Sequence, residues 1–87
     1  MNIMFVCTGN TCRSAMAEGL AKKQIKERNL NINVYSAGIN AFTGEHASYN
    51  SVAVMKEYDV DILMHTSTHI AETNIRDMDL ILCATSS

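Results

Sequence analysis

Cys7 and Arg13 are separated by five residues in the run Cys-Thr-Gly-Asn-Thr-Cys-Arg-Ser, which ends at Ser14. A thiol and a guanidinium at that spacing can share one phosphate. Arg13 offers two parallel hydrogen bonds to phosphate oxygens and a charge that does not titrate away. Gly9 removes a side chain where the backbone must approach an anion, and Asn10 tolerates a left-handed conformation better than most residues. Backbone N–H groups of Thr8, Gly9, Asn10, Thr11 and Cys12 curling toward one point would complete a phosphate cradle. The same fields favour the thiolate form of Cys7. A thiolate beneath a bound phosphate attacks phosphorus and forms phosphocysteine, splitting one hard displacement into two easier ones. Ser14 can donate its hydroxyl to the sulfur and help it leave in the second step, or serve as the N-cap of a helix.

Such a loop needs a strand before it and a helix after it. Ile3-Met4-Phe5-Val6 is a short apolar run of the kind that forms a buried parallel strand. From Ser14 to about Arg28, Met16, Ala17, Leu20, Ala21 and Ile25 fall on one helical face, opposite Lys22, Lys23, Lys26 and Glu27. The helix would bring its unpaired N–H groups and positive dipole end to the anion. Asn31 to Tyr35 reads as a second strand, Ser36 to Glu45 as a glycine-containing loop, and His46 to Tyr58 as a second helix. Ala71 to Met78 reads as a short third helix, and Leu80 to Ala84 as a third strand that buries Cys83. Strands separated by helices in this way imply a three-layer α/β unit, with a parallel sheet, helices on both faces and right-handed crossovers. Active sites in such sheets lie at the carboxyl ends of the strands, where Cys7 falls.

The segment Val6 to Ser14, followed by Ala17-Glu18, resembles the signature of the low-molecular-weight protein tyrosine phosphatase family. The resemblance continues at Ser36-Ala37-Gly38, at His65 and at Asp79-Leu80-Ile81-Leu82. It implies a cytoplasmic hydrolase without cofactor, acting on a phosphorylated protein, with Cys7 as nucleophile, Arg13 as phosphate clamp and Ser14 as thiolate stabiliser. Asn10, Ser36 and His65 would form the supporting hydrogen-bond network. Taken alone, His65 carries no spacing signal and reads equally as a surface histidine.

Position 11 separates substrate classes in that family. Members acting on phosphotyrosine usually carry a branched aliphatic residue there, whereas Thr11 resembles the protein-arginine phosphatase subgroup. A small polar side chain suits a hydrogen-bonding guanidinium, although threonine is also an ordinary loop residue. Cys12 could resolve an oxidised Cys7 into a reversible disulfide, or be a small buried loop residue. Three cysteines without framework spacing point to a reducing compartment, and the Cys and His spacings fit no usual zinc pattern.

With net charge −2 and no long apolar run, the chain shows no nucleic-acid or membrane footprint. Its 87 residues read as one domain, the N-terminal part of a family domain. None of Asp59, Asp61, Asp77 or Asp79 matches the family's Asp-Pro loop, whose aspartate protonates the leaving group. The sheet edge after the third strand would then invite self-association. Besides the phosphatase, two readings stand: a non-catalytic phosphate-binding or oligomerisation module, and a relative of arsenate reductases.

Overall fold

The computed structural model describes residues 1–83, so Ala84 of the expected third strand lies outside them. Asn2–Cys7 forms β1, Arg13–Arg28 α1, Asn33–Gly38 β2, Tyr49–Glu57 α2 and Leu80–Cys83 β3. The sheet is parallel in the order β2-β1-β3, with Asn2 opposite Asn33 through to Cys7 opposite Gly38, and Ile3 opposite Leu80 through to Val6 opposite Cys83. The apolar β1 run thus sits centrally.

Side chains alternate across the strands, so Ser36, which bonds to Glu18 of α1, faces oppositely to Ala37. Met4, Val6 and Ala37 build a core cluster on that opposite face with Ile70, Ile75 and Met78. A second cluster joins Met55, Val60 and Ile62 to Met16, Ala47 and Val52. α1 therefore covers one face of the sheet, while the 70–78 segment covers the other.

Several elements differ from the sequence reading. β2 extends to Gly38 rather than ending at Tyr35, because Phe5, Val6 and Cys7 offer pairing partners to Ser36, Ala37 and Gly38. α2 starts at Tyr49 rather than His46: Ser48 caps it, accepting the Ser51 N–H at 3.2 Å, while His46 bridges to Thr66. The expected helix over 71–78 is two 3₁₀ turns, Ile70–Glu72 and Ile75–Asp77. Thr73 donates its hydroxyl to the Ile70 carbonyl at 2.7 Å, and Asn74 between the turns has a non-helical ψ of 54°. α1 opens at Arg13 with Cys12 at its cap position, so Ser14 is not the N-cap. Leu20, expected on the buried face, is 40 % exposed, and burial in α1 centres on Ser14 and Ala15. Cys83 is exposed rather than buried, because β3 is an edge strand of the described sheet.

Candidate active site

β1 delivers Cys7 to the carboxyl edge of the sheet, and the chain reverses through 8–12 into α1. Asn10 controls the reversal. Its φ of 58° is left-handed, which asparagine adopts more readily than most residues. Its backbone N–H points back at the Cys7 sulfur, at 3.2 Å. Its side chain is wholly buried and donates to Ser14 Oγ and to Ser36 Oγ, both at 2.8 Å. Asn10 Oδ1 accepts the Thr68 N–H at 2.9 Å, so every polar atom of the side chain is engaged.

Proton roles follow from this inventory. Ser14 Oγ accepts from Asn10 Nδ2, which leaves its own hydrogen for the Cys7 sulfur 2.8 Å away. The sulfur therefore receives two donors, the Asn10 N–H and the Ser14 hydroxyl, beside the N-terminus of α1.

A second layer holds Asn10 from behind. Ser36 Oγ donates to Glu18 Oε1 at 2.5 Å, and Lys22 pairs with Glu18 Oε2 at 2.8 Å. His65 sets Nε2 against the Asn10 carbonyl at 2.7 Å and Nδ1 at 3.5 Å from Glu18 Oε1. A carbonyl and a carboxylate both accept, so His65 is suited to donate from both nitrogens as an imidazolium. Burial alone would raise the Glu18 carboxyl, yet the hydrogen bonds from His65, Lys22 and Ser36 bring it down to about 2. The bond to Glu18 lifts His65 above its ordinary 6.5 against the opposing effect of burial, with help from the Asn10 carbonyl.

These shifts bound a pH window. A lowered carboxylate contributes stability above its unfolded value near 4.5, lost as pH falls toward about 2. A raised histidine contributes fully below 6.5 and loses its contribution as pH rises through its folded value. The pair should therefore stabilise the loop most between about pH 4.5 and 6.5. Urea unfolding midpoints recorded upward from pH 6.5 should fall, and His65→Gln should flatten that alkaline limb; a variant with the same slope as the parent would exclude His65 as its source.

Gly38 at the end of β2 is required by close approach. A Cβ there would lie 2.6 Å from the Thr8 carbonyl oxygen, 2.7 Å from Ala41 Cβ and 3.0 Å from the Asn10 nitrogen. At Gly9 a Cβ would meet only Thr11 Oγ1 at 3.7 Å, so no packing contact demands glycine, and the space beside the loop stays open. Thr8 and Thr11 lend their carbonyls to the N–H groups of Asn40 and Ser48, at 2.9 and 2.8 Å. Cys12 is an exposed free thiol rather than a buried one, and Arg13 forms the exposed first residue of α1.

The structure thus joins Cys7, Asn10, Ser14, Ser36 and His65 into one hydrogen-bonded unit. Glu18 and Thr68 had no assigned role in that reading. The Glu18–Lys22 spacing of four on one helix was a visible trace of the first. Thr68 acts through its backbone N–H, which residue identity does not reveal.

The profile of the low molecular weight phosphotyrosine protein phosphatase family matches residues 2–87. The protein-arginine-phosphatase of Bacillus subtilis is 42 % identical over 85 residues, covering 98 % of this chain and 56 % of that protein. Arsenate reductase 2 of Staphylococcus saprophyticus is also 42 % identical, over 80 residues, covering 92 % of this chain and 56 % of that protein. Among solved structures, a YwlE arginine phosphatase mutant with a phosphorylated active-site serine superposes with a TM-score of 0.91 at 40 % identity, covering 98 % of this chain and 55 % of that one. The chain spans about half the length of the relatives it matches. The loop, the network behind it and these matches together place the chain in the low molecular weight phosphotyrosine protein phosphatase family.

Proposed function

We propose that this protein is a cysteine-dependent protein phosphatase that works through phosphocysteine and prefers phosphoarginine to phosphotyrosine. The observation that carries this reading is the Cys7 sulfur, which receives the Asn10 N–H at 3.2 Å and the Ser14 hydroxyl at 2.8 Å at the mouth of α1. In the first step the thiolate attacks phosphorus while the P–N bond of phosphoarginine, or the P–O bond of phosphotyrosine, breaks and the leaving group takes up a proton from solvent water. In the second, water attacks phosphorus, the S–P bond breaks, and the Ser14 hydroxyl stabilises the departing thiolate. Arg13 clamps two phosphoryl oxygens through both steps. A positioned general acid that protonates the leaving group is worth ~10²–10⁴-fold in the first step.

Thr11 bears on the substrate, and its support is the 42 % identity to a protein-arginine-phosphatase together with a backbone held by Ser48. Thr11→Ile should shift the ratio of phosphate release from phosphoarginine and phosphotyrosine peptides toward phosphotyrosine by about tenfold, the scale of one apolar contact. An unchanged ratio would remove Thr11 as the determinant.

The arsenate reductases matched at equal identity favour a second reading. A thiolate aimed at one tetrahedral oxyanion can attack arsenate as well as phosphate. Rapid quenching with a phosphopeptide and a parallel incubation with arsenate separate the possibilities: trapped phosphocysteine supports the phosphatase, phosphopeptide binding without it supports a phosphate-gripping module, and arsenite formed from arsenate only with added dithiol as reductant supports the reductase.

A further inference from the structure

β2 is an edge strand of the described sheet, and the edge it turns away from β1 is only partly used. Asn33 and Ile39 donate their N–H groups inward, to the carbonyls of Met1 and Cys7, whereas Gly38 donates outward to the Thr68 carbonyl, each bond being 2.9 Å. N–H and C=O directions alternate along a strand, so Val34 and Ser36 present theirs outward with Gly38. Among the described residues, pairing on that side is confined to the Gly38–His69 bridge. Val34 is nevertheless only 7 % exposed and Ser36 only 9 %. Backbone groups so placed are normally paired, and an edge that leaves them open is a template for another strand.

This edge does not lie bare on the surface. Ser36 lines a cleft of about 650 Å³, bordered by Glu18 and Lys22 of α1, by Asp61 and His65 after α2, and by Glu72 and Asp77 of the 3₁₀ turns. Glu18 already engages both cations, Lys22 at 2.8 Å and His65 at 3.5 Å. Asp61, Glu72 and Asp77 remain as carboxylates that a basic partner can meet. They stand on both faces of the sheet. Asp61 adjoins Ile62, whose Cγ2 would lie 2.6 Å from a Cβ on Gly19 of α1, whereas Glu72 and Asp77 belong to the segment that covers the opposite face. A strand laid along β2 would send successive side chains to those two faces in turn.

We propose that the outer edge of β2 is a docking groove for an extended polypeptide segment bearing lysine or arginine, which adds to the sheet through the backbone of Val34 and Ser36 and sets its basic side chains against Asp61, Glu72 and Asp77. The occupant is a peptide because the open groups come as donor and acceptor pairs two residues apart, the repeat of an extended backbone. It is basic because carboxylates border the groove on both faces. The groove uses the backbone of Ser36, while the Ser36 hydroxyl serves Asn10 and Glu18. Docking is therefore separate from the phosphate loop and goes beyond the phosphatase reading without resting on it.

The test titrates the protein, in saturating inorganic phosphate, with a fluorescent unphosphorylated peptide, Lys-Val-Lys-Lys-Val-Lys, which carries lysine on both faces of an extended chain. The same peptide with every backbone amide N-methylated keeps its charge and should bind about tenfold more weakly, the scale of losing two backbone hydrogen bonds. Asp61→Asn and Asp77→Asn, both at exposed positions, should each weaken the unmethylated peptide about threefold. Hydrogen–deuterium exchange followed by NMR should show the Val34 and Ser36 amides slowing about tenfold when the peptide is bound. Equal affinity for the N-methylated peptide, or unchanged exchange at Val34 and Ser36, overturns the groove. Slowing that appears without peptide and grows with protein concentration would assign the edge to a second copy of this chain and overturn it as well. Failure of the phosphatase reading would show separately, as peptide docking by a protein that forms no phosphocysteine.

Discussion

Cys7→Ser is expected to abolish phosphate release, lowering turnover about 10⁴-fold or more, as loss of a covalent nucleophile does elsewhere. The variant should still fold. Cys7 is buried beneath the loop, serine is smaller, and the Asn10 N–H and Ser14 hydroxyl can be accepted by an oxygen in place of sulfur. Serine is the weaker nucleophile but forms an ester that leaves poorly, so the phosphoryl group should accumulate on residue 7. The matched mutant with a phosphorylated active-site serine shows that this outcome occurs in a relative. Mass spectrometry after incubation with a phosphopeptide should find residue 7 heavier by one phosphoryl group. Sustained phosphate release by Cys7→Ser would mean that another residue is the nucleophile.

Asn10→Ala should combine the second-largest loss of activity with the largest loss of stability. Removing the amide strips a hydrogen bond from each of Ser14, Ser36 and the Thr68 N–H and opens a hole where nothing is exposed. Buried groups left unsatisfied cost about 1–3 kcal/mol each, with partial relaxation through water, so a net loss of about 3 kcal/mol is expected. Alanine also resists the left-handed φ of 58°. Ser14 would lose the bond that directs its hydrogen to sulfur, and activity should fall about 10²-fold, the scale of losing one preorganised donor. Urea unfolding and steady-state phosphate release measure the two effects independently. An Asn10→Ala protein as stable and as active as the parent would show that the buried network does not hold the loop.

The two expectations differ in kind because they address different layers. In the proposed reaction Cys7 acts on the substrate, whereas Asn10 holds Cys7 and Ser14 through hydrogen bonds. Behind Asn10 the Glu18–His65 pair provides a charged backing that reaches the loop through the Asn10 carbonyl and Ser36. Stability should accordingly respond to pH through this pair even where the chemistry is limited by something else.

The chemistry of the loop was written locally. Cys7, Gly9, Asn10, Arg13 and Ser14 lie within eight consecutive residues, between an apolar strand and a helix former run, so residue type and spacing sufficed to read a phosphate grip with a thiol nucleophile. The parallel α/β order was equally legible, since each strand carries its own apolar signature. Ser36, 26 residues from Asn10, and His65, 55 away, entered through family resemblance rather than spacing, and tertiary structure alone brought in Thr68 at 58 and the geometry of all three bonds. Pairing across the sheet carried β2 on to Gly38, which no local propensity demanded, and close approach to Thr8 then made glycine necessary there. The third helix failed for the converse reason, because local side-chain bonds at Thr73 broke a pattern that hydrophobic spacing alone had suggested. Ser67 was invisible in the sequence altogether. Its hydroxyl and two backbone groups meet the turn Phe42–Glu45 more than twenty residues away, and short-range periodicity does not encode such a meeting.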